Sequence, residues 1–171
     1  ESFEGLGCLH ESEIFVVENG SSDLSPKIIN DFCSKNEGLV KTIIFSENKG
    51  TTSSRNAALK EATGEYVLVL DSDAYITPQA LGRLREALDS RDKTGMVVPK
   101  LFYGDGRFQM STDTFPTLKR KFQRFFNLNK MQAKKNVNPI FDKYVDYAIS
   151  ACWLIKRETV DAVGGFDEEI F

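Results

Sequence analysis

The chain of 171 residues has little of several things. One histidine, His10, stands without a Cys or His neighbour to form a ligand set, and reads as an ordinary surface or helix-end residue. Three cysteines, Cys8, Cys33 and Cys152, are an odd number at spacings that fit no zinc or redox motif. They read as reduced thiols of a cytosolic protein rather than a disulfide frame. Proline is scarce at five, glycine totals twelve, and no repeat is present, which excludes collagen-like and low-complexity classes. Near the end of the chain the longest stretch without a charged side chain runs from Tyr147 to Ile155, far short of the roughly 20 residues a membrane helix needs. The first residues, Glu1-Ser2-Phe3-Glu4, lack the basic-then-apolar layout of a secretory signal. A net charge of -3 excludes a charge-driven disordered chain, and 41% hydrophobic residues supply an ordinary core for one domain.

What is present is an alternation of strand and helix. Ile14-Phe15-Val16-Val17 is an apolar run that stops at Glu18-Asn19-Gly20. Residues 26–35 carry Ile28, Ile29 and Phe32 at helical spacing, with Asp23 or Ser25 as cap and Pro26 in the first turn. A β-branched run follows at 40–46, then a turn at Asn48-Lys49-Gly50 and a helix over 51–62 closed by Gly64. Tyr66-Val67-Leu68-Val69-Leu70 is the strongest strand signal and ends on Asp71-Ser72-Asp73. Thr77-Pro78 opens a helix to about Asp89, with Leu81, Leu84, Ala87 and Leu88 on one face, and 95–98 reads as a fourth strand. Strands apolar along their whole length predict burial on both faces, hence a mainly parallel central sheet with helices on both sides. In such sheets ligands sit beyond the carboxyl ends of the strands, where both polar clusters fall.

After Pro99 the pattern changes. Residues 100–111 read as a hairpin around Asp105-Gly106. The segment 114–141 holds seven Lys or Arg, no Asp or Glu, and five Phe, which leaves the remainder of the chain at a balance of ten negative charges. Three readings fit it: a solvated excursion with its rings packed on the sheet, a peripheral membrane contact, or a nucleic-acid patch. Overall acidity argues against nucleic acid. Apolar residues return at 144–155, a short helix starts at Lys156-Arg157-Glu158, and Gly164-Gly165-Phe166-Asp167-Glu168 follows.

Asp71 and Asp73, one residue apart after a strand, carry the chemistry. On an extended segment both would point into one cleft, and a divalent cation, Mg²⁺ or Mn²⁺, would relieve their repulsion, with water and diphosphate oxygens filling the other positions. A plain helix-cap role for Asp73 is the alternative. Arg55-Asn56 lies on a helix opening after a glycine turn, where phosphate is attracted; an ordinary solvated charge is the alternative. Glu18 could accept from a nucleoside base or ribose, or serve its own turn.

Taken in order, Ile14 to Asp23, Asn48-Lys49-Gly50 with Arg55-Asn56, Val69 to Asp73, Asp105 to Gln109 and Gly164 to Glu168 resemble the family 2 glycosyltransferases. The resemblance runs from about Glu13 to Phe171, and Val98 to Gln109 looks most like the rhamnosyltransferase-type branch, whose members build bacterial surface polysaccharide. It implies a single α/β domain of GT-A (Rossmann-like) fold over residues 1–171. Its nucleotide-sugar half would be 1–98, and its acceptor half 99–171, with the basic insert 114–141. It implies an inverting transfer of a sugar, rhamnose being the candidate, from a nucleotide-diphosphate sugar to a glycan or lipid-diphosphate-linked acceptor, at the inner face of the cell membrane. Glu18, Asn19, Gly20, Asn48, Gly50, Arg55, Asp71 and Ser72 would hold the nucleotide sugar. Asp71 and Asp73 would hold the metal, and Trp153, Gly164, Gly165 and Phe166 would lie on the acceptor side. Glu18 stands where the family usually has Asp. The family's base is expected in a Glu-Asp pair beyond Phe171, with Asp167 as the substitute within the chain. The resemblance further implies a chain short of the family's first strand and of its catalytic C-terminal segment. Two rivals are a haloacid-dehalogenase-like phosphatase, with Asp71 as nucleophile and Asp73 as acid, and a non-catalytic nucleotide-sugar-binding fragment. Against the phosphatase, Tyr75 stands where that family wants Thr or Val.

Overall fold

The computed structural model describes residues 12–113, 115, 117, 118, 125, 126 and 143–169. Cys8, His10, most of the basic segment 114–141 and Phe171 lie outside them. The element order is β1 (Ile14–Asn19), α1 (Ser25–Lys35), β2 (Val40–Phe45), α2 (Gly50–Glu61), β3 (Tyr66–Leu70), α3 (Pro78–Asp89), β4 (Met96–Val97), β5 (Leu101–Phe102), β6 (Phe108–Gln109), β7 (Thr112–Asp113), β8 (Tyr147–Ala148), β9 (Cys152–Lys156) and α4 (Arg157–Val163).

β1 and β2 pair in parallel, Ile14 opposite Val40 through Asn19 opposite Phe45, as a β-α-β crossover through α1 requires. The second ladder is antiparallel: β9 lies between β3 and β4. β3 and β4 therefore share a direction, while β9 runs against both. The expectation of a mainly parallel sheet holds for the alternating first hundred residues. It does not hold for β9, which reaches the sheet after the long excursion beyond Pro99 and so is free of the crossover rule. Burial is also less complete than continuous apolar strands predicted. β3 is half-buried throughout, and the buried residue of β1 is not an aliphatic one but Glu18.

The core sits between α3 and the β3–β9–β4 ladder. Leu84, Leu88, Ile76, Cys152 and Leu154 are buried together, with Tyr66, Leu68, Leu70 and Leu81 packed against them. These are alternate residues of β3 and β9, as the two-residue period of a strand demands, and residues of α3 at helical spacing. Thr77 caps α3 by accepting from the Ala80 N–H at 3.1 Å, ahead of Pro78 in the first turn. α1 starts one residue earlier than expected; Asp23 accepts the Ser25 N–H at 2.8 Å, outside the helix proper.

α2 is held from both ends by residues distant in sequence. At its start, the Asn19 amide donates to Asn48 Oδ1 at 2.9 Å while Asn19 Oδ1 accepts the Lys49 N–H at 2.9 Å. At its end, the Arg157 guanidinium donates to the carbonyls of Leu59 and Ala62. Glu13, just before β1, gathers the Thr63 N–H and hydroxyl, the Gly64 N–H and the Lys41 ammonium. The hairpin β5–β6 closes on Asp105-Gly106 as its sequence predicted, with Gly106 at φ 82°. Among the described residues no helix is long and apolar enough to cross a membrane.

Candidate nucleotide-sugar site

The rim is built where β1, α2, β3 and β9 meet at the carboxyl ends of β1 and β3. β3 stops at Leu70 and the chain turns at once: the Ala74 N–H donates to the Asp71 carbonyl at 3.0 Å. Asp71 to Ala74 is therefore a turn rather than an extension of the strand, so strand alternation does not set how Asp71 and Asp73 project. Asp71 points at α2. Its Oδ1 accepts from Arg55 Nη2 at 2.8 Å, and the same nitrogen reaches the Ser150 hydroxyl at 3.1 Å. Asp73 stands exposed, and among the described residues it makes no hydrogen bond or ion pair. Ser72 is exposed beside it.

Arg55 is largely shielded, its side chain 17% exposed. Its guanidinium carbon lies 5.8 Å from the Trp153 ring centre and 5.9 Å from that of Phe166, and the two rings are 5.8 Å apart. Cation–π attraction to these two neighbouring rings and the Asp71 carboxylate fix this head group. Trp153 is itself fixed, its indole N–H donating to the Ile149 carbonyl at 2.8 Å. Next door, Asn56 is buried and bonds the loop that follows α4: Nδ2 donates to the Phe166 carbonyl, Oδ1 accepts the Phe166 N–H, both at 2.8 Å, and Nδ2 also reaches Glu168 Oε1. Ser53 holds the other Glu168 oxygen at 3.0 Å. Asn56 and Ser53 hold the Glu168 carboxyl below the usual carboxylate range. The structure thus brings Arg55, Asp71, Trp153 and Phe166 together and leaves Asp73 exposed.

Glu18 is 4% exposed, and its carboxylate is used locally: Oε1 accepts the Ser21 N–H at 2.6 Å and Oε2 the Gly20 N–H at 3.1 Å. The Ser21 bonds hold its pKa below the ordinary value. Gly20 has φ 74°, and a Cβ there would collide with the Glu47 backbone, so the turn closes only with glycine. Asn19, Asn48 and Gly50 form one hydrogen-bonded knot, in which the Gly50 N–H donates to Asn48 Oδ1 at 2.9 Å. Asp167 is exposed and caps its own turn, accepting the Glu169 N–H at 3.0 Å. Gly164, with φ 88°, ends α4 in the left-handed conformation.

Sequence reasoning missed Ser150 as a partner of Arg55 and Asn56 as the anchor of the Phe166 loop. Asn56 carried a signal, its place beside Arg55; Ser150 carried none. No group of three ligating side chains gathers among the described residues. One free carboxylate, Asp73, suits a magnesium or manganese ion that takes its remaining oxygens from water and a diphosphate.

Residues 8–164 match the model of the Glycosyl transferase family 2. The chain belongs to that family. This glycosyl transferase family 2 chain is 28% identical over 162 residues to a teichoic acid poly(glycerol phosphate) polymerase of Staphylococcus epidermidis, covering 90% of the chain and 20% of the relative. It is 36% identical over 80 residues to an uncharacterized glycosyltransferase of Haemophilus influenzae, 44% of the chain and 32% of the relative. The chain thus spans a third or less of these curated relatives. Among solved structures it is similar to a mannosyltransferase from Pyrobaculum calidifontis in complex with GDP-Man and Mn²⁺. There the TM-score is 0.56 at 24% identity, over 99% of the chain and 44% of the other. It is also similar to GalNAc-T7 with UDP, GalNAc and Mn²⁺, with a TM-score of 0.59 at 16% identity, over 92% of the chain and 31% of the other. The family 2 chain has the GT-A fold these structures share. Family membership replaces the phosphatase alternative.

Proposed function

We propose that this family 2 chain forms the donor site of a glycosyltransferase that moves a sugar from a nucleotide-diphosphate sugar to a glycan or lipid-diphosphate-linked acceptor with inversion. One observation carries the reading: at the carboxyl end of β3, Asp73 is exposed and unpartnered among the described residues, while Asp71 beside it is fixed by Arg55. Surface carboxylates need no such scaffold, whereas a diphosphate site needs one ligating group free and its surroundings rigid. The similar solved structures bear GDP-Man or UDP with Mn²⁺, which supports the ligand class. Rhamnose is the candidate sugar because of the resemblance at Val98 to Gln109. The reading places the protein in the cytoplasm, with 114–141 against the inner face of the membrane.

Asp73 would hold a Mg²⁺ or Mn²⁺ ion, which when bound stabilises charge on the leaving diphosphate. The chain's own residues orient. Asp71, immobilised by Arg55, can accept a ribose or sugar hydroxyl without swinging away. The backbone turn at Glu18–Ser21 and the Asn19–Asn48 knot shape the wall beside it. Trp153 and Phe166 wall the acceptor side and exclude water. The proton of the attacking hydroxyl needs a carboxylate; within the chain Asp167, on the loop after Phe166, is the candidate, Glu168 being engaged by Asn56 and Ser53.

The test is calorimetric titration of UDP, dTDP and GDP with and without Mn²⁺, on the chain and on Asp73→Ala. Metal-dependent binding that the variant loses is the expected result, and the preferred nucleotide narrows the donor. Silence with all three nucleotides would sink the reading. Binding without transfer when donor and acceptor are supplied would leave a nucleotide-sugar-binding segment without turnover.

A further inference from the structure

Two consecutive side chains of α2 serve different halves of the chain. Arg55 goes to the β3 rim, where Nη2 donates to Asp71 Oδ1 at 2.8 Å. Asn56 goes to the loop after α4, and among the described residues its side-chain bonds are to Phe166 and Glu168. The amide is used at both ends. Nδ2 gives one N–H to the Phe166 carbonyl and the other to Glu168 Oε1, and Oδ1 accepts the Phe166 N–H, each at 2.8 Å. Ser53, on the same face of α2, donates to the second Glu168 oxygen at 3.0 Å. Gly165 lets the loop come so close, because a Cβ there would stand 2.8 Å from Asn56 Oδ1. Phe166 thus has its backbone, and Glu168 its carboxylate, tied to α2. The tie sets where the Phe166 ring lies, and that ring meets the Arg55 guanidinium beside Trp153.

We propose that Asn56 is a positioning residue for the donor side: it ties the 166–168 loop to α2, seats the Phe166 ring against Arg55, and so keeps Arg55 on Asp71. Loop docking and nucleotide binding are then coupled, and each favours the other by the same factor. This rests on the donor-site reading above and extends it to the acceptor-side loop. An amide is what the place requires. A carboxylate has no N–H for the Phe166 carbonyl and repels Glu168, whose carboxyl Asn56 and Ser53 hold below the usual carboxylate range. A methyl group would take the partner from both backbone groups of Phe166.

The experiment follows Mn²⁺-dependent binding of UDP, dTDP or GDP, whichever the parent chain prefers, by calorimetry. Emission of Trp153, the chain's one tryptophan, reports on the loop, since its ring lies 5.8 Å from that of Phe166. Asn56→Asp and Glu168→Ala are compared with the parent at about pH 7.5 and about pH 5. At the higher pH the introduced carboxylate and Glu168 repel. Trp153 emission of Asn56→Asp should move to the red, and the nucleotide should bind about three- to tenfold more weakly than to the parent. At the lower pH the two carboxylates share a proton, and both readings should return toward those of the parent at that pH. Lys60, the charge that faces Glu168 from α2, is common to all three proteins. Glu168→Ala loosens the loop from its own side and leaves α2 intact, so it serves if Asn56→Asp does not fold. It should weaken the nucleotide in the same direction at both pH values, with no recovery in acid. Nucleotide binding within about twofold of the parent in both variants would uncouple the loop from the donor side and overturn the proposal. Unshifted emission in Asn56→Asp, or a deficit there that persists in acid, would overturn it as well. If the parent binds none of the three nucleotides, the donor-site reading itself fails and this proposal with it; if the parent binds and the variants match it, this proposal alone fails.

Discussion

Asn56 and Phe166 bond to each other twice, as two residues of adjoining strands would, although one is a side-chain amide on α2 and the other a loop backbone. The sequence separation of 110 makes this a contact that closes the Gly164–Glu168 segment onto the first half of the chain. Asn56→Ala should therefore cost about 2–4 kcal/mol, since two backbone groups lose partners in a shielded place. Urea denaturation checks it; a loss below about 0.5 kcal/mol would show that water replaces the amide freely.

The paired glycines of that loop should differ in their tolerance of a methyl group. Both have positive φ, 88° at Gly164 and 93° at Gly165. A Cβ on Gly164 meets open space, whereas one on Gly165 comes within 2.8 Å of Asn56 Oδ1. Gly164→Ala should lose about 1 kcal/mol from backbone strain alone. Gly165→Ala should lose more, and the gap between the two should shrink in an Asn56→Ala background. Equal losses in both backgrounds would contradict the contact.

Acid should loosen the junction at Glu13 before it reaches the core. Thr63 and Lys41 bring this carboxyl down to about 2 from an ordinary 4.5. Its folded value lies below its unfolded one, so its contribution is fully present above about pH 4.5 and lost as pH falls toward 2. Between pH 7 and pH 3 the melting temperature of the parent should drop more than that of Glu13→Gln, which starts lower at neutral pH. Parallel pH profiles would remove Glu13 from the account.

Thiol labelling should separate Cys33 from Cys152. Burial, helped by the Asp71 charge, pushes the Cys152 thiol up to about 11. Cys33 is only half-buried on α1. In a Cys8→Ser background, native protein at pH 8 should react rapidly at one thiol and at the second only in denaturant. Rapid labelling of both would mean that the β3–β9 core opens readily.

How much of this was legible in the sequence depends on the range of the interaction. The strands at Ile14–Asn19 and Tyr66–Leu70 and the helix after Thr77-Pro78 follow from local periodicity and capping, and they form within a residue or two of their expected bounds. The reversal of β9 could not be read, because strand direction is set by how a long excursion returns. The strand alternation expected of Asp71 and Asp73 does not apply, for a local reason. Alternation holds only inside a strand, and β3 ends one residue before Asp71. Ser150 and Asn56 acquire their roles only when segments about a hundred residues apart meet.

α2 has no side-chain N-cap and a Gly-Thr-Thr-Ser-Ser start of poor helix formers, so it has little reason to coil by itself. Its last carbonyls are closed by Arg157, from the junction of β9 and α4. The helix therefore leans on two separate parts of the chain, Asn19 of β1 at its start and Arg157 at its end. The amide protons of its first turns should exchange with solvent together with those of β1, and those of its last turn together with the β9–α4 junction that supplies Arg157.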